Sequence, residues 1–131
     1  MQDFKKSAYS VLTTYIEALN AQDSDAMRDC FHFPHYRIAG GRMEIFETAA
    51  DYGIANFHAR NDTDGWAYTK WDHQHMVHGD AAKVHFDVQF TRYRADDSVL
   101  GQYKSLWIVT KRSDKWGVMA RSSYAGLGIK T

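Results

Sequence analysis

The sequence predicts an α+β fold with its helices first and its strands last. Apolar residues recur at helical spacing from Phe4 to Leu19. From Trp66 onward the pattern changes to long alternating runs separated by short turns. The composition, 44% hydrophobic and 15% aromatic over 131 residues, supplies enough apolar side chain for a full core. The length is that of one ordinary domain, 1–131, and no linker, repeat or low-complexity stretch divides it.

Each element has a local cause. Phe4, Ala8, Val11, Leu12, Tyr15 and Leu19 form the apolar stripe of a first helix over residues 3 to 21. Asp23 can cap a short second helix with Met27, Cys30 and Phe31 turned inward. Pro34 is expected to end it, because the residue before a proline avoids helical angles. His35–Ala39 and Arg42–Phe46 flank Gly40-Gly41, which reads as a tight hairpin pairing Arg37 with Glu44. Tyr36, Ile38, Met43 and Ile45 then share one face. Thr48-Ala49-Ala50-Asp51 reads as a capping box that opens a third helix carrying Tyr52, Ile54 and Phe57 and stopping near Asn61–Gly65. The runs WAYTKWDHQHMVH, AAKVHFDVQFTRYR, VLGQYKSLWIVTKR and WGVMARSSYAG are the strands of a curved, mostly antiparallel sheet.

Charge and cysteine content exclude several classes. Lysine plus arginine equal aspartate plus glutamate, 16 each, so no basic excess points to nucleic acid or an anionic membrane. Neutrality also removes self-repulsion as a barrier to self-association. Cys30 is the single cysteine, so it has no internal disulfide partner, and it reads as inert packing. The start MQDFKKSAYS has no apolar run of the signal-peptide kind, and no stretch is long and apolar enough to span a bilayer. The expectation is a soluble, cytoplasmic protein.

Histidines raise the functional question, with three of them in KWDHQHMVHGD. If Gly79-Asp80 is a two-residue turn, strand alternation puts Trp71, His73, His75, Val77, Val84, Phe86, Val88 and Phe90 on one apolar face. His85 and Asp87 fall on the other. A one-residue slip would reverse this assignment. Three readings compete for His73 and His75. As an HxH metal pair they lack a third ligand on their face. As core residues they would be satisfied by hydrogen bonds. As pocket residues they would supply acid–base groups titrating near neutral pH. Arg121 is a further candidate. With a Ser113-Asp114 turn it would face Leu106, beside Ile108 and Met119, and could bind an anion or form a structural pair. Trp71, Phe86 and Trp107 could wall an aromatic cavity or simply fill the core. Gly40-Gly41 leads into a strand, so it is no phosphate loop, and Ser122-Ser123 has no acid–histidine arrangement beside it.

The order helix, short helix, hairpin, helix, curved sheet resembles that of the NTF2-like superfamily, the cone shared by ketosteroid isomerase and SnoaL-like cyclases. TYIEALNAQDSDAMRDCF is similar to the opening of those proteins, KRSDKWGVMARSSYAG to their final hairpin, and HFPHYRIAGGR to an uncharacterised subgroup. The resemblance covers nearly the whole chain. It implies three N-terminal helices on a strongly curved sheet and a homodimer through the sheet's outer face. From the residues themselves, no metal or cofactor is expected. It places Tyr15 at the position of the oxyanion-binding tyrosine. Ala39 falls at the general-base position and Lys104 or Ser105 at the second oxyanion donor, so steroid isomerisation by that route is disfavoured. Arg121, Ser122 and Ser123 stand where the cyclases have an acid. His73 or His75 would match the histidine of dehydratase relatives. The functional expectation is a protein binding a modest apolar or aromatic ligand at Tyr15, Trp71, His73, His75, Phe86, Trp107 and Arg121. If it is an enzyme, it is a lyase or isomerase with His73 and Tyr15 as acid–base residues. The alternative is a dimeric interaction module without chemistry.

Overall fold

A computed structural model describes residues 3–60 and 63–125. Helix α1 (Phe4–Asn20) starts where the Asp3 carboxylate accepts hydrogen bonds from the Lys5 and Lys6 backbone N–H groups. Its buried stripe is Ala8, Val11, Leu12, Tyr15, Ala18 and Leu19. Each fully buried leucine or valine contributes about 1.5–3 kcal/mol. Helix α2 (Ser24–Asp29) is capped by Asp23 and buries Met27, with Cys30 and Phe31 buried after it.

Pro34 does not bound that helix. Cys30 ends it, and Pro34 lies inside strand β1 (Phe31–Ala39). β1 turns through Gly40, at φ 62°, into β2 (Arg42–Phe46), with Arg37 opposite Glu44 as the sequence implies. The expected third helix is two pieces. Thr48 and Asp51 form the box around a 3-10 turn, Ala49–Asp51, and α3 (Ile54–His58) follows. Gly53 interrupts them where a Cβ would lie 2.9 Å from Ser24 Oγ, so a larger residue would force the α2 side chains to shift. Of the expected stop region, Asn61 and Asp62 lie outside the described residues.

The long strands are β3 (Tyr68–Gly79), β4 (Lys83–Tyr93), β5 (Val99–Arg112) and β6 (Lys115–Ser123). They complete one six-stranded sheet in the order β2-β1-β6-β5-β4-β3, antiparallel except for β1 beside β6. α1 packs across its inner face, and the core lies between them, from Leu12 and Leu19 to Phe86, Val88 and Val109. No helix among the described residues is long and apolar enough to cross a membrane.

Departures from regular pairing decide which side chains face inward. The β3–β4 connection is not a two-residue turn. Gly79 pairs with Val84, and the Asp80 carboxylate accepts from the Ala82 and Lys83 N–H groups. The register then shifts between Met76 and His78, and again between Trp71 and His73. Each extra residue on one strand moves the following side chains to the opposite face. In β5–β6 the Ser113-Asp114 turn is as expected, with φ 51° and 62°, but a shift between Ile108 and Val109 brings Arg121 opposite Trp107 instead of Leu106.

Candidate functional site

The mouth of the cone opens between α1 and the concave face of β3–β6. Its apolar chamber is walled by Ile16, Leu19, Tyr15, Phe57, Trp71, Phe90 and Trp107, with a volume of about 320 Å³ counted to the open mouth. A polar chamber of about 210 Å³ is lined by Arg37, Ser105, Ser123 and Ala125. Arg60, Arg92, Arg121, Phe90 and Trp107 border both.

The aromatic walls are fixed by their own polar ends. Trp71 Nε1 donates to the Leu12 carbonyl at 3.0 Å, and Trp107 Nε1 donates to Ser105 Oγ at 3.0 Å. Ser105 Oγ donates in turn to the Ser122 carbonyl. Trp71 and Trp107 meet edge to face at 5.2 Å between centroids. These indole N–H groups serve the protein and leave ring surface to the chamber. The Tyr15 and Tyr52 hydroxyls share a 2.6 Å hydrogen bond. Burial raises the Tyr15 pKa far above the ordinary phenol value, so it stays protonated.

Arg121 is 5% exposed, and its setting is built around a neutral histidine. His35, fully buried, lies 3.1 Å by Nδ1 from the Val118 carbonyl and 2.9 Å by Nε2 from Arg121 Nε. The carbonyl requires Nδ1–H and the guanidinium requires a bare Nε2, so the environment selects one neutral tautomer. Burial and the charge of Arg121 hold the His35 pKa down at about 2. The Arg121 guanidinium is enclosed by the rings of Phe31, Trp107 and Tyr52, at 4.9, 5.5 and 5.7 Å. Its buried Nη2 makes no hydrogen bond among the described residues.

Three more arginines converge on the same space. Arg37, 5% exposed, donates from Nη2 to the Ala125 carbonyl and lies 3.8 Å by Nη1 from the exposed Glu44. Burial, then the charges of Arg60 and Arg121, lower its pKa to about 9. Arg60, just after α3, lies over Phe57 at 5.6 Å, and burial and Arg121 lower its pKa. Arg92 sits over Phe57 and Tyr103 at 4.9 Å each. No carboxylate and no imidazole among the described residues lines either chamber.

Of the sequence candidates, Tyr15, Trp71, Trp107 and Arg121 line the same chamber. The structure corrects the others. His73 and His75 are exposed on the outer face, opposite Gln89 and Asp87, because the shift near Val77 reverses the expected alternation, whereas the longer turn, which slides the register by an even number of residues, does not. Phe86 is fully buried beneath Tyr9, at 4.9 Å, and belongs to the core instead of the chamber. Ala39 ends β1, and Ser105, not Lys104, faces inward. No group of three or more His, Cys, Asp or Glu among the described residues could hold a metal ion. Sequence reasoning missed Arg60 and Arg92 and read Arg37 as an ordinary cross-strand pair. One signal was available for Arg92: Val84, Phe86, Val88, Phe90 and Arg92 occupy a single alternation, so an arginine continues an apolar face.

An open cone of helices on a curved sheet, with its cavity at the concave face, defines the NTF2-like class. The chain belongs to it: the model of the family described as NTF2-like protein (DUF6841) matches residues 6–125. None of the curated proteins matches by sequence. Among solved structures, a protein of unknown function with a cystatin-like fold from Nostoc punctiforme is similar at 13% identity, with TM-score 0.74, covering 95% of this chain and 92% of that one. A ketosteroid isomerase-like protein from Erwinia carotovora atroseptica is similar at 13% identity, TM-score 0.69, covering 95% and 98%. An NTF-2 like protein of unknown function from Shewanella oneidensis is similar at 15% identity, TM-score 0.67, covering 92% and 98%. At such identities the likeness is one of fold.

Proposed function

We propose that this chain is a small-molecule-binding protein whose site is the interior of the cone. The observation that carries the reading is the open, aromatic-walled chamber bordered by Tyr15, Trp71, Trp107 and Arg121. Its volume of about 320 Å³ includes open space at the mouth, so the enclosed part is smaller still. The ligand is therefore compact, about one ring or a short chain. Binding is favoured over acid–base turnover. The lining offers no base among the described residues, Tyr15 is held protonated, and His73 and His75 lie outside.

The interaction-module reading draws on a different feature, the exposed Ile38, Met43, Ile45 and Leu106. We read that surface as the contact for a second copy of the chain, which leaves the interior free for a ligand.

A thermal-shift survey of one-ring and short-chain compounds, neutral, cationic and anionic, tests the proposal. The expected result is a raised Tm for a chemically related subset, lost in Ile16→Trp, which fills the chamber mouth. No shift from any compound, or equal shifts in Ile16→Trp, would overturn it.

A further inference from the structure

We propose that the ligand is a compact oxyanion, a carboxylate or a phosphate monoester, whose charged end sits between the guanidinium groups of Arg121 and Arg60 and whose body lies against Trp71 and Phe90. This rests on the reading of the interior as a small-molecule site and names what that site selects.

The first argument is an unmade bond. Arg121 carries five donors in a fixed fork. Its Nε is used by His35, a neutral acceptor that orients the group without cancelling its charge. Nη2 is buried at the junction of the two chambers and has no acceptor among the described residues. A buried charged donor left unsatisfied is among the costlier defects a fold can hold. Ring faces soften that cost but accept no N–H in the plane of the fork.

The second argument is charge. Arg60 reaches the same junction, and its guanidinium makes no hydrogen bond or ion pair among the described residues, only the Phe57 ring contact. Arg37 borders the polar chamber, and no carboxylate among the described residues lines it. Glu44 lies 3.8 Å from Arg37, at a position 53% exposed. Like charges crowded in a low-dielectric space repel, and an anion placed among them removes that repulsion while gaining forked, charge-assisted hydrogen bonds.

The third argument is shape. Ser105 and Ser123 extend the polar end, while Leu19, Trp71 and Phe90 make the other end apolar. A one-ring or short-chain acid fits that polarity.

Titration calorimetry of the purified protein with benzoate, phenyl phosphate, benzamide and benzylamine, in low-salt buffer free of phosphate, tests this. Benzoate or phenyl phosphate is expected to bind, benzamide at least tenfold more weakly, and benzylamine not measurably. Which anion binds tighter separates the carboxylate from the phosphate class. Arg121→Met should weaken the preferred anion by about 30-fold or more, as expected for truncating one partner of a buried charged pair. Arg60→Met keeps the test valid if loss of the His35 contact unfolds the first variant, and it should weaken the anion while leaving circular dichroism unchanged. Equal binding of benzamide and benzoate, or unchanged anion affinity in Arg60→Met, would overturn the oxyanion inference and leave the small-molecule reading standing. Binding of benzylamine alone would do the same. No binding of any probe, in a protein whose Tm no compound shifts, would remove both.

Discussion

At the scale of single residues, the decisive group is His35. It carries no charge, yet it aims the charge of Arg121. The strand pattern HFPHYRIA gives no hint of this, because the partner Arg121 lies 86 residues away and reaches it only through the parallel pairing of β1 with β6. The arrangement has a pH signature. In the unfolded chain a histidine titrates near 6.5, whereas His35 folded is held at about 2 by burial and by the facing charges of Arg121 and Arg37. Above 6.5 neither form holds the proton, and stability does not depend on this residue. Below 6.5 the unfolded chain takes up a proton that the folded protein refuses, so stability falls as pH falls. At pH 5.0 the loss from His35 is about 2 kcal/mol, at about 1.4 kcal/mol per unit. Buried His32 is shifted in the same direction and adds to the trend. Urea unfolding at pH 7.0 and 5.0 measures it, and His35→Gln should lose most of the difference. A variant as acid-sensitive as the parent would show that His35 is not held neutral.

At the scale of elements, regular pieces were legible and irregular ones were not. The β1–β2 hairpin forms at the expected register because Gly40 supplies the left-handed backbone its turn needs. The α1 stripe and the bounds of β5 also follow from periodicity. The bulges do not. Each is one unpaired residue in an alternating run, and alternation carries no mark of where it skips. His73 and His75 were misassigned for that reason, while Trp71, beyond a second shift, returned to the inner face. Two expectations separate these cases. His73→Ala and His75→Ala should each change stability by less than about 0.5 kcal/mol, as exposed positions do, and leave ligand binding intact. Trp71→Ala should cost about 3 kcal/mol in denaturant unfolding, because it empties a contact with Trp107 and Phe90 and frees the Leu12 carbonyl. A histidine variant that lost ligand binding would place the site on the outer face instead.

At the scale of the whole molecule, the sheet has two differently built faces. The inner one is a cavity rich in aromatic and arginine side chains. The outer one carries a row that runs Met43, Ile38, Ser122, Leu106, Asp87, His75 across β2, β1, β6, β5, β4 and β3. Its β2–β5 part is apolar except for Ser122. Met43 is 59% exposed, Ile45 47%, Ile38 41% and Leu106 38%, with Tyr36 and Ile108 beside them. Its far end is polar, with His73, His75, Asp87, Gln89 and Lys104. An apolar centre flanked by a polar rim is the anatomy of an interface, and a sheet face pairs with its own copy about a two-fold axis. Zero formal net charge leaves little long-range repulsion to oppose it. The protein should therefore sediment as a dimer. Ile38→Glu should sediment as a monomer, since a carboxylate at the centre of the patch would be buried unpaired across the axis. His75→Glu, at the rim, should remain dimeric. Because the cone opens on the opposite side of the sheet, Ile38→Glu should still bind whatever ligand the parent binds. A parent that sediments as a monomer would give this patch to a different partner, and loss of ligand binding on monomerisation would mean that the second copy shapes the cavity as well.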